Sequence, residues 1–325
     1  MISVAMCTYN GARFLPQQLE SIANQIVAVD ELVVCDDGSN DDTIEVLNAF
    51  AKTSPFPVTI HSNPVNLGST KNFEKCLMLC KGDIIFLTDQ DDVWREDKVA
   101  RHIEFYDGNP GTDAVFSDAL IIDDDSKPSG QTIWKEIEFG EVLQNKWQKG
   151  KGHETLFYGF VVTGATLSLR KSCLPRLIPF PTHIPDLIHD AWIALVLCLQ
   201  GKISFIADTL VSYRIHNGQQ VGFGAKVEFI SLKERLTRSR EEKLLPLAEK
   251  AKNLEMLYML LRDVPLVPRE KLIKLYLTQK HFKKRSTLPA NRLLRLSPVL
   301  HDVFQGYYIF SSRDWWIPAI GDLLE

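Results

Sequence analysis

No two cysteines in the 325-residue chain stand in a CxxC spacing. Cys7, Cys35, Cys76, Cys80, Cys173 and Cys198 are scattered, most of them inside apolar runs. That argues against a zinc site or a disulfide framework and for buried free thiols in a reducing compartment. No apolar stretch reaches the roughly 18–20 residues needed to span a bilayer. The opening MISVAMCTYNG is too short an apolar run, and lacks the basic start, for a secretory signal. A cytoplasmic protein is expected. Positive charge is not in excess either: 37 Lys and Arg against 41 Asp and Glu give a net charge of -4. That excludes nucleic-acid binding through the overall field. The first turn carries no G-x-G-x-x-G, which excludes a dinucleotide dehydrogenase. It also lacks the glycine-rich basic loop of a nucleotidyltransferase, since CTYNGARF offers only Gly11 and Arg13. There is no internal repeat. What is there, 45% hydrophobic and 24% charged residues, fits one large soluble domain or a domain with an appendage.

The first ninety residues alternate between two periods. ISVAMCT, DELVVCDDGS, PVTIHS and DIIFLTD read as strands ending in polar turns. FLPQQLESIANQ, DDTIEVLNAFAK and STKNFEKCLMLCKG read as helices, with Asp41 or Asp42 capping the second, Ser69 capping the third and Gly82 stopping it. Strict alternation predicts an α/β fold: a Rossmann-like, mostly parallel sheet flanked by helices. Ligands of such sheets bind beyond the carboxyl ends of the strands. Those ends carry Thr8-Tyr9-Asn10, Asp36 to Ser39, Asn63 to Gly68 and Asp89 to Asp92, which should converge on one edge. Near residue 222 glycine becomes rare and long helical patterns begin. We divide the chain into a domain 1–222 and a helical C-terminal region 223–325, available for packing, oligomerisation or membrane-surface contact. Residues 269–295 hold nine Lys and Arg against Glu270 alone, among Leu272, Ile273, Leu275, Tyr276 and Leu277. Such a segment suits an anionic membrane surface, or equally a solvated helix face.

Four places carry chemistry. Asp89-x-Asp91 follows the buried strand GDIIFL and suits Mg²⁺ or Mn²⁺, which take oxygen ligands and usually share them with phosphate; an ordinary Asp-rich surface turn is the plain alternative. In the turn CDDGS one of the two carboxylates, Asp36 or Asp37, offers an acceptor to a pyrimidine N3–H, though Asp-Gly-Ser also simply makes turns. Lys71 stands just inside the next helix, where an exposed lysine is unremarkable. His189-Asp190 opens DAWIALVLCLQ after the Pro-bounded loop PFPTHIPDLI, so Asp190 is either an N-cap or a general base facing a cleft. Further on, YRIHNGQQVG ends a strand, and its His216 matters only if it reaches the same cation as Asp91.

Taken in order, CTYNGARFLPQQLESI, VVCDDGSNDDT, NLGSTKNFEKCL, FLTDQDDVW, GAT at 164–166, HDAW and YRIHNGQQVG resemble the motifs of inverting family 2 glycosyltransferases of the GT-A fold, over residues 1 to about 222. DQDDVW, HDAWIA and YRxH are similar to the bacterial rhamnosyltransferase-like branch that builds surface polysaccharides. The Glu-Asp pair more frequent in the family is His189-Asp190 here, and the Gln-x-x-Arg-Trp motif of processive synthases is absent. The resemblance implies a GT-A domain with a C-terminal helical extension, a nucleotide-sugar donor, a divalent cation (Mg or Mn), and a glycan or lipid-linked saccharide acceptor. It implies Asp190 as catalytic base and Thr8, Tyr9, Asn10, Asp37, Lys71, Asp89 and Gly164 around the donor. It further implies Asp91, with Asp89 and His216, at the metal, and Asp92, Trp94 and His189 toward the acceptor. L-Rhamnose from dTDP-L-rhamnose is the expected transfer. A UDP-hexose or UDP-N-acetylhexosamine donor, or an inactive nucleotide-binding scaffold, are the alternatives.

Overall fold

The computed structural model describes residues 1–157, 159–185, 187–216, 239–311 and 315–324. The expected domain boundary and the end of YRIHNGQQVG lie outside them. The chain divides into two compact units, Met1–Gly222 and Phe223–Glu325.

In the first unit the alternating apolar runs become β1 (Ile2–Thr8), β2 (Glu31–Asp36), β3 (Val58–Ser62) and β4 (Ile84–Thr88). They are linked by the helices α1 (Leu15–Ala23), α2 (Thr43–Ala51) and α3 (Ser69–Leu79). All pairings among these strands are parallel. β1, β2 and β4 are buried almost throughout, as continuous apolar runs require when helices cover both faces of a parallel sheet. The sheet continues through β5 (Val93–Trp94), β6 (Ala114–Ile122), β7 (Pro128–Thr132), β8 (Ser168–Arg170) and β9 (Ile203–Arg214). The order is β3-β2-β1-β4-β8-β6-β9-β5, with β7 against β6. This half is mixed: β8 lies antiparallel between β4 and β6, while β6 and β9 are parallel. The strand order reverses between β1 and β4, the topological position at which open α/β sheets bind ligands.

The start of α3 differs from expectation, while Asp42 and Asp41 stand at the start of α2 as expected. Ser69 is the first helical residue of α3 rather than its cap; the cap position is Gly68, at φ +75°. The chain must turn there through a left-handed conformation that other residues resist. At α2 the N-cap position is Asp42 but its side chain makes no capping bond; the Asp41 carboxylate accepts the Thr43 amide instead, at 3.1 Å. All six cysteines are free and buried.

The second unit is helical. Ser239 and Glu242 form a capping box that starts the helix Arg240–Leu261, which packs against the helix Arg269–Ser286. Leu272, Leu275 and Phe282 of the basic segment are buried. The first two are therefore spent on the protein core rather than turned outward. No helix among the described residues is long and apolar enough to cross a membrane.

Candidate functional site

The ends of β1, β2 and β4 are tied to one another by their own polar residues. The Asp36 carboxylate accepts the Gly38 and Ser39 amides, at 3.1 and 2.9 Å, and the Thr8 hydroxyl at 2.8 Å. Thr8 is 2% exposed, so its hydroxyl belongs to this turn and not to an open base pocket as expected. Asp37 donates its amide to the Thr8 carbonyl at 2.8 Å. Its carboxylate organises the next loop: Oδ1 accepts Asn63 Nδ2 at 2.8 Å and the Leu67 amide at 2.7 Å, and Oδ2 accepts the Gly68 amide at 2.9 Å. Asn10, at φ +50°, bridges the same region, its amide on Ser39 Oγ at 2.9 Å and its Oδ1 accepting the Asn40 amide at 2.8 Å. Lys71 departs from expectation: both Glu74 carboxylate oxygens lie 2.9 Å from its ammonium, so its charge is answered within α3.

Beyond β4, Gln90 holds Tyr9 at two points, accepting its amide at 2.8 Å and donating to its carbonyl at 3.0 Å. A Cβ on Gly11 would run into that same Gln90 side chain and force it to shift from its place on Tyr9. Gln90 is thus the link between CTYNG and DQDD, a role invisible in the run of aspartates. The Asp91 Oδ2 lies 2.8 Å from His216 Nε2, uniting two candidate metal ligands 125 positions apart. Burial, then the charges of Asp91 and Asp190, push Asp89 up to about 8. One carboxyl therefore feels the expected metal ligand and the expected base together.

Asp190 is buried in the first turn of the helix His189–Leu199. Its Oδ2 accepts the Gly164 amide at 2.8 Å and its Oδ1 the Ala191 amide at 2.7 Å. The ring of His189 stacks on Phe73, centroids 4.1 Å apart, and neither ring nitrogen has a hydrogen-bond partner among the described residues. Burial lowers its pKa, favouring the neutral ring. A Cβ on Gly164 would stand 3.0 Å from His189 Nε2 and 3.5 Å from Asp190 Oδ2. Gly164→Ala is expected to push the His189 ring beside Asp190 by a few tenths of an ångström and cost about 1–3 kcal/mol of overpacking. Steady-state kinetics checks it: kcat should fall about tenfold or more while nucleotide affinity, measured by calorimetry, changes little.

Two acceptor-side expectations are corrected. Asp92 is fully buried; its Oδ1 accepts the Arg214 amide at 3.0 Å, and burial together with Asp91 and Asp89 raises its pKa. It neither caps the following turn nor faces an acceptor. Trp94 is 4% exposed, lies in β5 and packs on Phe86 and under the Lys98 ammonium, 3.8 Å from its ring. It offers no face to a sugar. Trp147 and Trp192 are buried as expected, their indole N–H groups on the carbonyls of Ile203 and Leu177.

Two cations unforeseen in the sequence complete the site. Lys98 is fully buried, donates to the Ala165 carbonyl at 2.7 Å and faces the charges of Asp92 and Asp89. Arg214, also fully buried, donates to the Asp91 carbonyl at 2.7 Å. A divalent cation fits this donor set. Burial, and then the charges of neighbouring carboxylates, push both Asp89 and Asp92 up. The 2.8 Å between Asp91 Oδ2 and His216 Nε2 is near the roughly 3 Å that separates neighbouring ligands of an octahedral ion with 2.0–2.1 Å bonds. The described residues supply no cluster of three or more such side chains. That suits an ion completing its shell with phosphate and water.

Over residues 3–165 the chain matches the family described as Glycosyl transferase family 2. It is 26% identical over 219 residues to an uncharacterized glycosyltransferase of Nostoc sp., covering 66% of this chain and 65% of that protein, somewhat less than two thirds of its length. It is 27% identical over 218 residues to the O-antigen chain rhamnosyltransferase RfbN of Salmonella typhimurium, covering 66% and 67%. A mannosyltransferase from Pyrobaculum calidifontis, solved in complex with GDP-Man and Mn²⁺, aligns with a TM-score of 0.52 at 17% identity, covering 99% of this chain and 85% of that one. At that identity the likeness is one of fold.

Proposed function

From the premise that the chain belongs to glycosyl transferase family 2, we propose that it moves a sugar, with inversion, from a nucleotide sugar to a hydroxyl of a glycan or lipid-linked saccharide. The donor we propose is dTDP-L-rhamnose and the setting bacterial surface polysaccharide synthesis. The likeness to a rhamnosyltransferase and the motifs DQDDVW and HDAWIA support this choice. One observation carries the reading: beyond the β1/β4 switch point Asp91 meets His216 at 2.8 Å, and Asp89 beside them feels the charges of both Asp91 and Asp190. Leaving-group and acceptor chemistry then share one small site.

Asp190 takes the proton from the acceptor hydroxyl, and that oxygen bonds to the anomeric carbon as the nucleoside diphosphate departs on the opposite side. The Gly164 and Ala191 amides hold the carboxylate in orientation. His189 keeps a neutral, buried ring beside it, packed on Phe73. Asp37 retains an acceptor position on Oδ2 for a pyrimidine N3–H, with Tyr9 and Asn10 at the edge of that pocket. Asp91 and His216 would hold the divalent cation, with the Asp89 carboxyl beside them. When bound, it supplies neutralisation of the charge on the departing diphosphate. The protein would work in the cytoplasm and meet the inner face of the membrane through its basic segment 269–295.

The test is a donor panel by calorimetry and nucleotide release, dTDP-rhamnose beside UDP sugars, with wild type and Asp91→Ala. Wild type should bind and turn over dTDP-rhamnose in a manner abolished by chelation. Asp91→Ala should lose the metal-dependent part of that affinity, about tenfold or more, or ~1.4 kcal/mol. Binding and turnover indifferent to both chelation and Asp91→Ala would sink the metal assignment. Preferred turnover of a UDP sugar would sink the rhamnose assignment.

A further inference from the structure

We propose that the helices Leu296–Phe304 and Trp316–Leu324 form the face through which the chain lies on an anionic lipid surface. The proposal rests on the reading that the chain meets a membrane. It moves the main apolar contact away from the basic helix Arg269–Ser286, whose Leu272 and Leu275 are buried and which leaves Ile273 and Tyr276 outside.

Each of the two helices carries an outward stripe at four-residue spacing. On the first, Leu296, Leu300 and Phe304 are 45, 43 and 84% exposed. On the second, Trp316, Ile320 and Leu324 are 46, 39 and 48% exposed. Residues four apart lie on one side of a helix, so each stripe is a continuous apolar ridge. The inner sides are accounted for: Val299 and Ala319 belong to a buried cluster with Leu288 and Tyr308, against which Val303 and Leu323 pack. The two helices touch each other, and exposed Leu293 and Leu294 precede the first. An exposed apolar surface of this extent marks an interaction site.

Charge selects the occupant. The described acids between Thr287 and Leu324 are Asp302 and Asp322, each 1% exposed. Asp302 is held by His281, Lys284 and His301. Asp322 is held by Lys243, Arg285 and Tyr308. No described carboxylate of that stretch therefore reaches the surface, while Arg292 does, as do Lys280 and Lys283 on the helix before it. Apolar ridges with aromatic Trp316, in a stretch whose described residues expose Arg292 and no acid, match the boundary between acyl chains and anionic headgroups. A protein partner would have to bring its own acids, and nothing in the patch demands that.

The experiment is co-sedimentation of the full chain with vesicles of phosphatidylcholine alone and of phosphatidylcholine mixed with phosphatidylglycerol. Wild type should bind the mixed vesicles and little of the neutral ones. Leu300→Ser with Phe304→Ser should weaken that binding at least about tenfold, since each loses the burial of a large apolar side chain. Trp316→Ser should weaken it in the same direction. Val142→Ser, which alters an exposed apolar residue of the first unit, should change nothing. If the double variant binds mixed vesicles as well as wild type, this face is not the contact, though the membrane reading stands. If wild type binds neither vesicle, both fail. If light scattering shows an oligomer that the double variant dissociates, the face joins copies of the chain and the proposal is overturned.

Discussion

Asp190→Asn is expected to lower the turnover of sugar transfer by about 10²–10⁴-fold, the usual contribution of a positioned general base, while nucleotide affinity stays near wild type. Asparagine keeps the volume but cannot take a proton. It also keeps only one acceptor oxygen, whereas Asp190 uses two, on the Gly164 and Ala191 amides. One of those amides will face an NH₂ group, so a stability loss of about 1–2 kcal/mol accompanies the kinetic loss. The two effects separate cleanly. A thermal melt reads the second, calorimetry with the nucleoside diphosphate reads whether the site is intact, and single-turnover transfer reads the first. A folded, nucleotide-binding Asp190→Asn protein that transfers at near wild-type rate would remove Asp190 from the mechanism. Asp190→Glu is the useful companion: it restores a base but displaces it by one methylene, so partial activity is expected.

How much of this was legible beforehand follows from what each residue depends on. The strands β1 to β4 and the helices between them were readable because burial on both faces writes itself as short apolar runs, and amphipathic helices as a 3.6-residue period. Asp89, Asp91 and Asp190 were readable because their place at the ends of such runs, with the family resemblance, fixed where they fall. Tertiary pairing was not readable. Thr8 looked like a pocket residue, yet its hydroxyl is taken by Asp36. Lys71 looked free, yet Glu74 three positions on neutralises it. Asp92 and Trp94 looked like a surface edge because they follow two aspartates. In fact the antiparallel pairing of β5 with β9 draws Val93-Trp94 into the sheet, and Asp92 is buried with them. Lys98 and Arg214 were missed as buried cations for the same reason. Charged side chains are almost never fully buried, so sequence reasoning places them in water unless their partners are known. The register of β9 supplied those partners.

Arg214→Met is expected to destabilise the first unit by about 3–5 kcal/mol, the cost of removing one member of a buried, hydrogen-bonded charge set. The guanidinium is fully buried at the end of β9 and joins four separate segments. Its Nε donates to the Asp91 carbonyl at 2.7 Å, its Nη1 to the Asp123 carbonyl at 2.9 Å and Ser126 Oγ at 3.0 Å, and its Nη2 to Gln17 Oε1 at 2.8 Å. Its plane lies over the Phe14 ring, 4.6 Å from the centroid. Methionine fills much of the space but leaves the buried Asp91 carbonyl without its donor, at about 1–3 kcal/mol, and releases the 123–126 turn and Gln17, which can turn to water. For a unit of this size each kcal/mol lowers the melting temperature by about 2–4 °C, so a fall of roughly 6–20 °C is expected. Lysine at 214 is the informative control. It keeps the charge but presents a point donor in place of the planar fork, so it can satisfy the Asp91 carbonyl or the Asp123–Ser126 turn, not both. Arg214→Lys should therefore melt between wild type and Arg214→Met. It should also lose donor affinity disproportionately, because the peptide that carries Asp91 is no longer fixed. Urea unfolding of all three proteins, with donor titration of the folded ones, decides it. If Arg214→Met unfolds within about 1 kcal/mol of wild type, its contacts add nothing beyond a typical surface ion pair, and Arg214 does not hold the DQDD segment in place.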